Sequence, residues 1–190
     1  MIYLDANHVY TDDTGKKYTG INEFAKLVGK AEDYSFIDPA VLQLSCDYGS
    51  AIHDLAESII EKRQFYPKHN YPTKPSYQEQ KAKIEAFLSE QRVSVVECEL
   101  ILADEVNLLA GKVDLIAKIG NQLTIVDWKT NNKVNDFVMA GYVYLANLNG
   151  IFVTRSLAVG LKNKSYKIIE VMDLFAKKKE FEEILTGIQI

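Results

Sequence analysis

Apolar positions fall at helical spacing across residues 50–62. Ala51, Ile52, Leu55, Ala56, Ile59 and Ile60 form one stripe, and His53, Asp54, Glu57 and Glu61 take the opposite face. The helical pattern begins near Asp38-Pro39. A Pro-rich loop, 66–75, separates it from a more polar helix at about 77–91. Upstream, Phe24, Ala25 and Leu27 mark a short helix stopped near Gly29, with Thr19 or Asn22 as its cap. Residues 1–19 read as a small hairpin turning at Asp12-Asp-Thr-Gly15. Further along, the period changes to that of strands. Residues 93–103, 108–119 and 123–130 are β-rich runs joined by short turns. A helix at 135–148 stopped by Gly150 follows, then strands near 152–161 and 166–171, then a charged helix at 173–185. This order predicts one α/β domain with a mixed sheet flanked by helices, rather than a doubly wound one. Its parts are a hairpin and helix at 1–35, a helical segment at 36–92, a β-meander and helix at 93–149, and strands with a final helix at 150–190.

Composition narrows the function. The chain has 190 residues, 47% of them hydrophobic and 25% charged, which suits one domain with a sizeable core. Net charge is -4, from 22 Lys+Arg against 26 Asp+Glu. That argues against a protein living by non-specific attraction to phosphate, but not against an enzyme that touches nucleic acid briefly. Two cysteines, Cys46 and Cys98, are too few for a disulfide scaffold, a four-Cys zinc site or an iron–sulfur cluster. The first residues lack a basic segment followed by an apolar run, and 137–153 is too short and too interrupted by Asn147 and Asn149 to span a membrane. A cytoplasmic protein is expected, with no membrane partner.

The chemistry concentrates in the meander. Gly120-Asn121 has the Gly-first pattern of a two-residue hairpin turn, so Ile119 pairs with Gln122 and opposed residue numbers sum to 241. Asp114 and Asp127 then face each other on one side of the sheet. Alternation puts Lys129 on that same side and Trp128 on the other. At roughly 5 Å and an effective dielectric near 20, two carboxylates repel by about 3 kcal/mol. A favourable cross-strand pair returns about 1 kcal/mol, so a cation between them or a proton on one is required. An all-oxygen Mg²⁺ or Mn²⁺ site is the natural resolution. Residues 104–108 allow several loops; one centred on Val106-Asn107 would add Glu99 opposite Asp114, although Glu97 shares its face and the pattern does not choose between them. His53 and Glu57, at i and i+4, can point at one site. His8 and His69 have no such setting.

Gly111-Lys-Val113-Asp114, the Gly-Asn turn, and Ile125-Val-Asp127-Trp-Lys129-Thr130 resemble the core of the PD-(D/E)XK nucleases. More narrowly they resemble the RecB-type and phage-exonuclease branch. Gly49-Ser-Ala-Ile-His53-Asp-Leu-Ala-Glu57 is similar to that branch's upstream helix motif, and Tyr18-Thr-Gly-Ile-Asn22 loosely to its opening segment. The resemblance runs from about residue 18 to 148. It implies a restriction-endonuclease-like mixed sheet and a metal-dependent deoxyribonuclease, an exonuclease of phage or recombination-type DNA processing. It further implies His53, Asp114, Asp127 and the Trp128 carbonyl as ligands of Mg²⁺ or Mn²⁺. Asp114, Asp127, Lys129 and Glu99 would be catalytic, and Tyr142, Glu57 and Lys133 would meet the substrate. DNA is the implied partner, with a second copy or a recombination protein as further ones. The branch's Gln-x-x-x-Tyr helix aligns with Val138-Met-Ala-Gly-Tyr142, so the Gln position holds Val. That departure favours the alternative of a non-catalytic DNA-binding or scaffolding protein retaining the nuclease fold. A metal enzyme acting on a small molecule is a third option. Candidate phosphate-binding clusters are Lys129/Lys133, Lys162/Lys164/Lys167 and Lys177–Lys179.

Overall fold

Apolar surface on both faces of the central strands forces helices onto both sides of the sheet. The computed structural model, which describes residues 1–5 and 9–188, arranges them in that way. Eight strands form one mixed sheet: β1 (Ile2–Leu4), β2 (Tyr10–Asp12), β3 (Lys17–Gly20), β4 (Ser94–Asp104), β5 (Leu109–Ile119), β6 (Gln122–Lys129), β7 (Arg155–Gly160) and β8 (Lys167–Glu170). Five helices flank it: α1 (Ile21–Leu27), α2 (Pro39–Ile60), α3 (Tyr77–Glu90), α4 (Asp136–Leu148) and α5 (Leu174–Gly187). One core lies between the sheet and α1, α4 and α5, around Phe24, Met139 and Phe181. The other lies between the sheet and α2 and α3, around Ile52, Phe87 and Trp128. Among the described residues no helix is long and apolar enough to cross a membrane.

Local chemistry sets the ends of the helices that carry the site. Asp38 caps α2 by accepting from the Ala40 and Val41 amides, with Pro39 at the first helical position. Asn135 caps α4 through the Phe137 and Val138 amides, and Gly150 at φ +82° follows its end. Helix α4 is buried nearly all round, from Phe137 to Val143, because the sheet and α1 and α5 enclose it. The cap of α1 differs from expectation. Neither Thr19 nor Asn22 serves: Thr19 belongs to β3, Gly20 stands at the cap without a side chain to offer, and Asn22 reaches Tyr142 instead. The N-terminal segment also holds three strands rather than one hairpin. His8, with Ala6 and Asn7, lies outside the described residues.

The topology leaves a fork. β4 pairs along one edge of β5 from Asp104–Leu109 to Ser94–Lys118. The other edge is shared: β3 runs parallel to Leu109 and Ala110, while β6 runs antiparallel to Leu115–Ile119. On that edge, residues 111–114 of β5 lie between the two partners with no strand paired to them among the described residues. Their polar backbone groups need other partners, because unpaired amides are costly once buried. The Tyr10 hydroxyl accepts from the Lys112 amide. Beyond the end of the β5–β6 ladder, the Trp128 amide donates to Asp114 Oδ2 at 2.9 Å.

Candidate metal centre

Asp114 stands at the closed end of this fork. The hairpin register follows the expected sum of 241, with Ile119 opposite Gln122 and Leu115 opposite Val126, and φ is positive at Gly120. One step further the ladder stops, at the level of Asp114 and Asp127. The β4–β5 register also follows its expected sum: Cys98 pairs with Leu115 and Leu100 with Val113, placing Glu99 against Asp114. Strict alternation, however, fails there. Val113 and Ile116 join the core under α4, whereas Leu115 joins the core under α2. On the neighbouring strand Glu99 takes φ +54°, a left-handed conformation uncommon for a non-glycine residue. Both strands therefore break at one level, and the break re-aims their acidic side chains.

Asp114 and Asp127 are only 7% and 6% exposed. His53 reaches from α2 with Nδ1 3.1 Å from Asp114 Oδ1. Ligand atoms of His53, Glu99 and Asp114 lie within 4.8 Å of one another. Lys129 Nζ donates to Asp127 Oδ1 at 3.1 Å and sits 2.8 Å from Oδ2. Oδ2 is buried and receives no aligned hydrogen bond. Glu99 is ion-paired with Lys112. Each of the three carboxylates thus has a cationic partner, and Asp127 is not part of the ligand-atom group formed by His53, Glu99 and Asp114.

The electrostatics follow from burial first. Burial raises the Asp114 carboxyl, but the His53 charge and hydrogen bond, the Trp128 amide and Lys129 outweigh it and hold Asp114 below the ordinary value. Asp127 goes the other way, because burial and the Asp114 charge exceed what Lys129 returns. Burial works against the His53 imidazolium, yet Asp114 and, further off, Asp127 raise its pKa to about 9. Imidazolium and ammonium supply the positive charge that facing carboxylates need. The donor set also fits a hard divalent cation: buried carboxylates, one oxygen without a hydrogen bond, and an imidazole beside them.

Other expected site residues fall less centrally. Glu57 is tied to Arg63 rather than turned to the His53–Asp114 contact. Tyr142 is only 8% exposed, and its ring packs so closely on Gly111 that a Cβ there would lie 2.8 Å from it. Its hydroxyl accepts from Asn22 at 3.3 Å, and burial beside Asp127 and Asp114 keeps it well above the ordinary tyrosine value. Tyr144 is spent on Asp104 at 2.6 Å. Lys133 is exposed, paired with Glu32, and shares a small pocket with Lys129 and Tyr34. Trp128 lies in the core under α2 and α3, against Phe87. Val138 is buried and apolar. Sequence reasoning missed Tyr10, Lys112 and Tyr34, whose roles depend on the fork and on the loop before α2. Lys112, directly between Gly111 and Val113, was the nearest to a visible signal.

No family model matches the sequence, and no curated protein matches it. Among solved structures, the fold is similar to a crystal structure named "Putative exonuclease" from Eubacterium rectale. That likeness has a TM-score of 0.51 at 12% identity over 98% of this chain and 84% of that one. At that identity the similarity shows the fold alone. A second structure, SSO0001, overlaps with a TM-score of 0.30 and 8% identity over 75% of each chain.

Proposed function

We propose that this chain is a Mg²⁺- or Mn²⁺-dependent deoxyribonuclease of the PD-(D/E)XK type, in the RecB and phage-exonuclease branch. It would hydrolyse phosphodiester bonds of DNA in the cytoplasm, as an exonuclease. One observation carries the reading. Two buried carboxylates stand on adjacent strands, Asp114 grouped with His53 and Glu99, and Asp127 ion-paired with Lys129. The named crystal structure of like fold adds support of a fold-level kind.

Asp114 and Asp127 would hold the ion, with His53 beside them; the Trp128 carbonyl enters by the resemblance alone. When bound, the ion polarises the scissile phosphate and lowers the pKa of a water. Lys129 lies against Asp127, where its ammonium orients that water and stabilises negative charge gathering on the phosphate. Glu99, held by Lys112, completes the acidic wall on the β4 side. Lys133, which lines a pocket with Lys129, would exchange its Glu32 partner for a substrate phosphate. Tyr142 packs against Gly111 and steadies β5, and by the resemblance it would also meet the substrate.

Linear and plasmid DNA, incubated with and without Mg²⁺ or Mn²⁺, tests this. Degradation should require the ion and disappear in Asp127→Asn. DNA binding without degradation under any of these ions would favour a scaffolding protein. Buried, apolar Val138 in place of the resemblance's Gln is the observation on that side.

A further inference from the structure

Three lysine clusters other than Lys129 could meet phosphate, and the structure separates them. Lys177, Lys178 and Lys179 are each paired with glutamates of their own helix. Lys133 is paired with Glu32. Lys162, Lys164 and Lys167 are exposed on and just after the β7–β8 turn, and none has an ion-pair partner among the described residues. They rim a groove of about 1130 Å³ against α3.

The groove holds a buried cation as well. Lys83 is 8% exposed and lines it. Its ammonium donates to Leu161 O at 2.8 Å and to Gln80 Oε1 at 3.4 Å, two neutral acceptors for three protons. Among the described residues no carboxylate lies within ion-pair distance of it, and burial lowers its pKa against the opposing charge of Glu79. Glu79 on the same wall offsets part of the burial cost of this charge, and an anion in the groove would relieve more of it. The two acidic groups on the wall are already engaged: Glu79 in the capping box of α3, Glu90 with the Tyr166 hydroxyl at 2.5 Å. Ala82 and Ala86 line the same wall, leaving room for a backbone to approach.

The turn that rims the groove begins beside Lys129 in the sheet. Leu161 N donates to Lys129 O at 2.8 Å, and Leu161 O accepts from Lys83. One residue therefore links the lysine of the site to the lysine of the groove.

We infer that the groove between α3 and the β7–β8 turn binds the phosphate backbone of the DNA substrate beyond the cleavage site, through Lys162, Lys164, Lys167 and buried Lys83. The inference rests on the nuclease reading for the identity of the substrate. It reconciles an acidic protein with DNA binding, since the needed positive charge is local rather than global.

The test compares wild type with the triple variant Lys162→Ala/Lys164→Ala/Lys167→Ala, in EDTA. The probe is a labelled duplex of about 20 base pairs, roughly 70 Å long at 3.4 Å per step. Affinity is measured between about 50 and 200 mM salt. Losing three phosphate contacts should flatten the slope of log K against log salt by about 2 to 3, with affinity down about tenfold or more at the low-salt end. The matching triple Lys→Arg variant should restore the slope. Hydrolysis of bis(p-nitrophenyl) phosphate with Mn²⁺ reports the site alone and should be unchanged in all three proteins. If the small diester is cleaved but the three slopes coincide, the groove proposal is overturned and the nuclease reading stands. If the slopes differ as expected while the diester is cleaved by none, the groove stands and the nuclease reading falls.

Discussion

Lys129 and Gly111 show how single positions make the site, one by charge and the other by the lack of a side chain. Metal binding draws on Asp114, Asp127 and His53, so Lys129→Ala should keep most of any metal-induced rise in melting temperature. DNA affinity, spread over many phosphate contacts, should weaken modestly. The cleavage rate should fall roughly 10²-fold or more, because a group stabilising charge in the transition state is gone. Lys129→Arg should rescue little, since a planar fork does not replace a compact ammonium. A wild-type rate in Lys129→Ala would remove this residue from the mechanism. Gly111 is required for a different reason. An added Cβ would meet the Tyr142 ring at 2.8 Å and Ile21 at 3.1 Å inside a packed core. Gly111→Ala should therefore destabilise by about 1–3 kcal/mol in urea unfolding. A loss below a few tenths would show that the ring has room to retreat.

Among the elements, the β4–β5 hairpin is tied at its loop by one buried carboxylate. Asp104 accepts from the Val106 and Asn107 amides, from Asn107 Nδ2 and from the Tyr144 hydroxyl. Burial raises its pKa, but Tyr144 and the other donors outweigh that and hold it below the ordinary value. A carboxylate depressed in the folded state stabilises above its unfolded pKa, near 4, and loses that contribution as pH falls through the lower folded value. Asp104→Asn should thus cost about 1–3 kcal/mol at pH 7. The gap to wild type should narrow in strong acid; a gap independent of pH would contradict the assignment.

The same hairpins show what a one-dimensional pattern carries. Gly120-Asn121 fixes its register locally, through the turn, so the neighbourhood of Asp114 and Asp127 is legible from residue numbers. The segment 104–108 allows several loops by its sequence, and the fold selects the one centred on Val106-Asn107. The left-handed turn of Glu99, the break at Asp114 and the parallel docking of β3 on β5 depend on distant partners, which periodicity does not record. The partners that Glu57 and Tyr142 take in the fold are likewise not recorded by periodicity. Helical spacing puts Glu57 beside His53, but Arg63 past the end of α2 captures it, and Tyr142 is claimed by Gly111.

At the scale of the whole molecule, the sheet forks where β3 and β6 share one edge of β5. The charged residues that open into that fork come from both sides: His53 from α2, Lys129 and the two aspartates from the strands. Such a concentration of buried carboxylates is stable without an ion only because His53 and the lysines balance it. The account stands on an ion taking over that balance. A crystal soaked in Mn²⁺, with data at an energy where manganese scatters anomalously, tests this most directly. The account predicts an anomalous peak in contact with both Asp114 and Asp127, with the His53 ring turned onto it. Full manganese in the solvent, no peak at these carboxylates, and His53 still on Asp114 would contradict it.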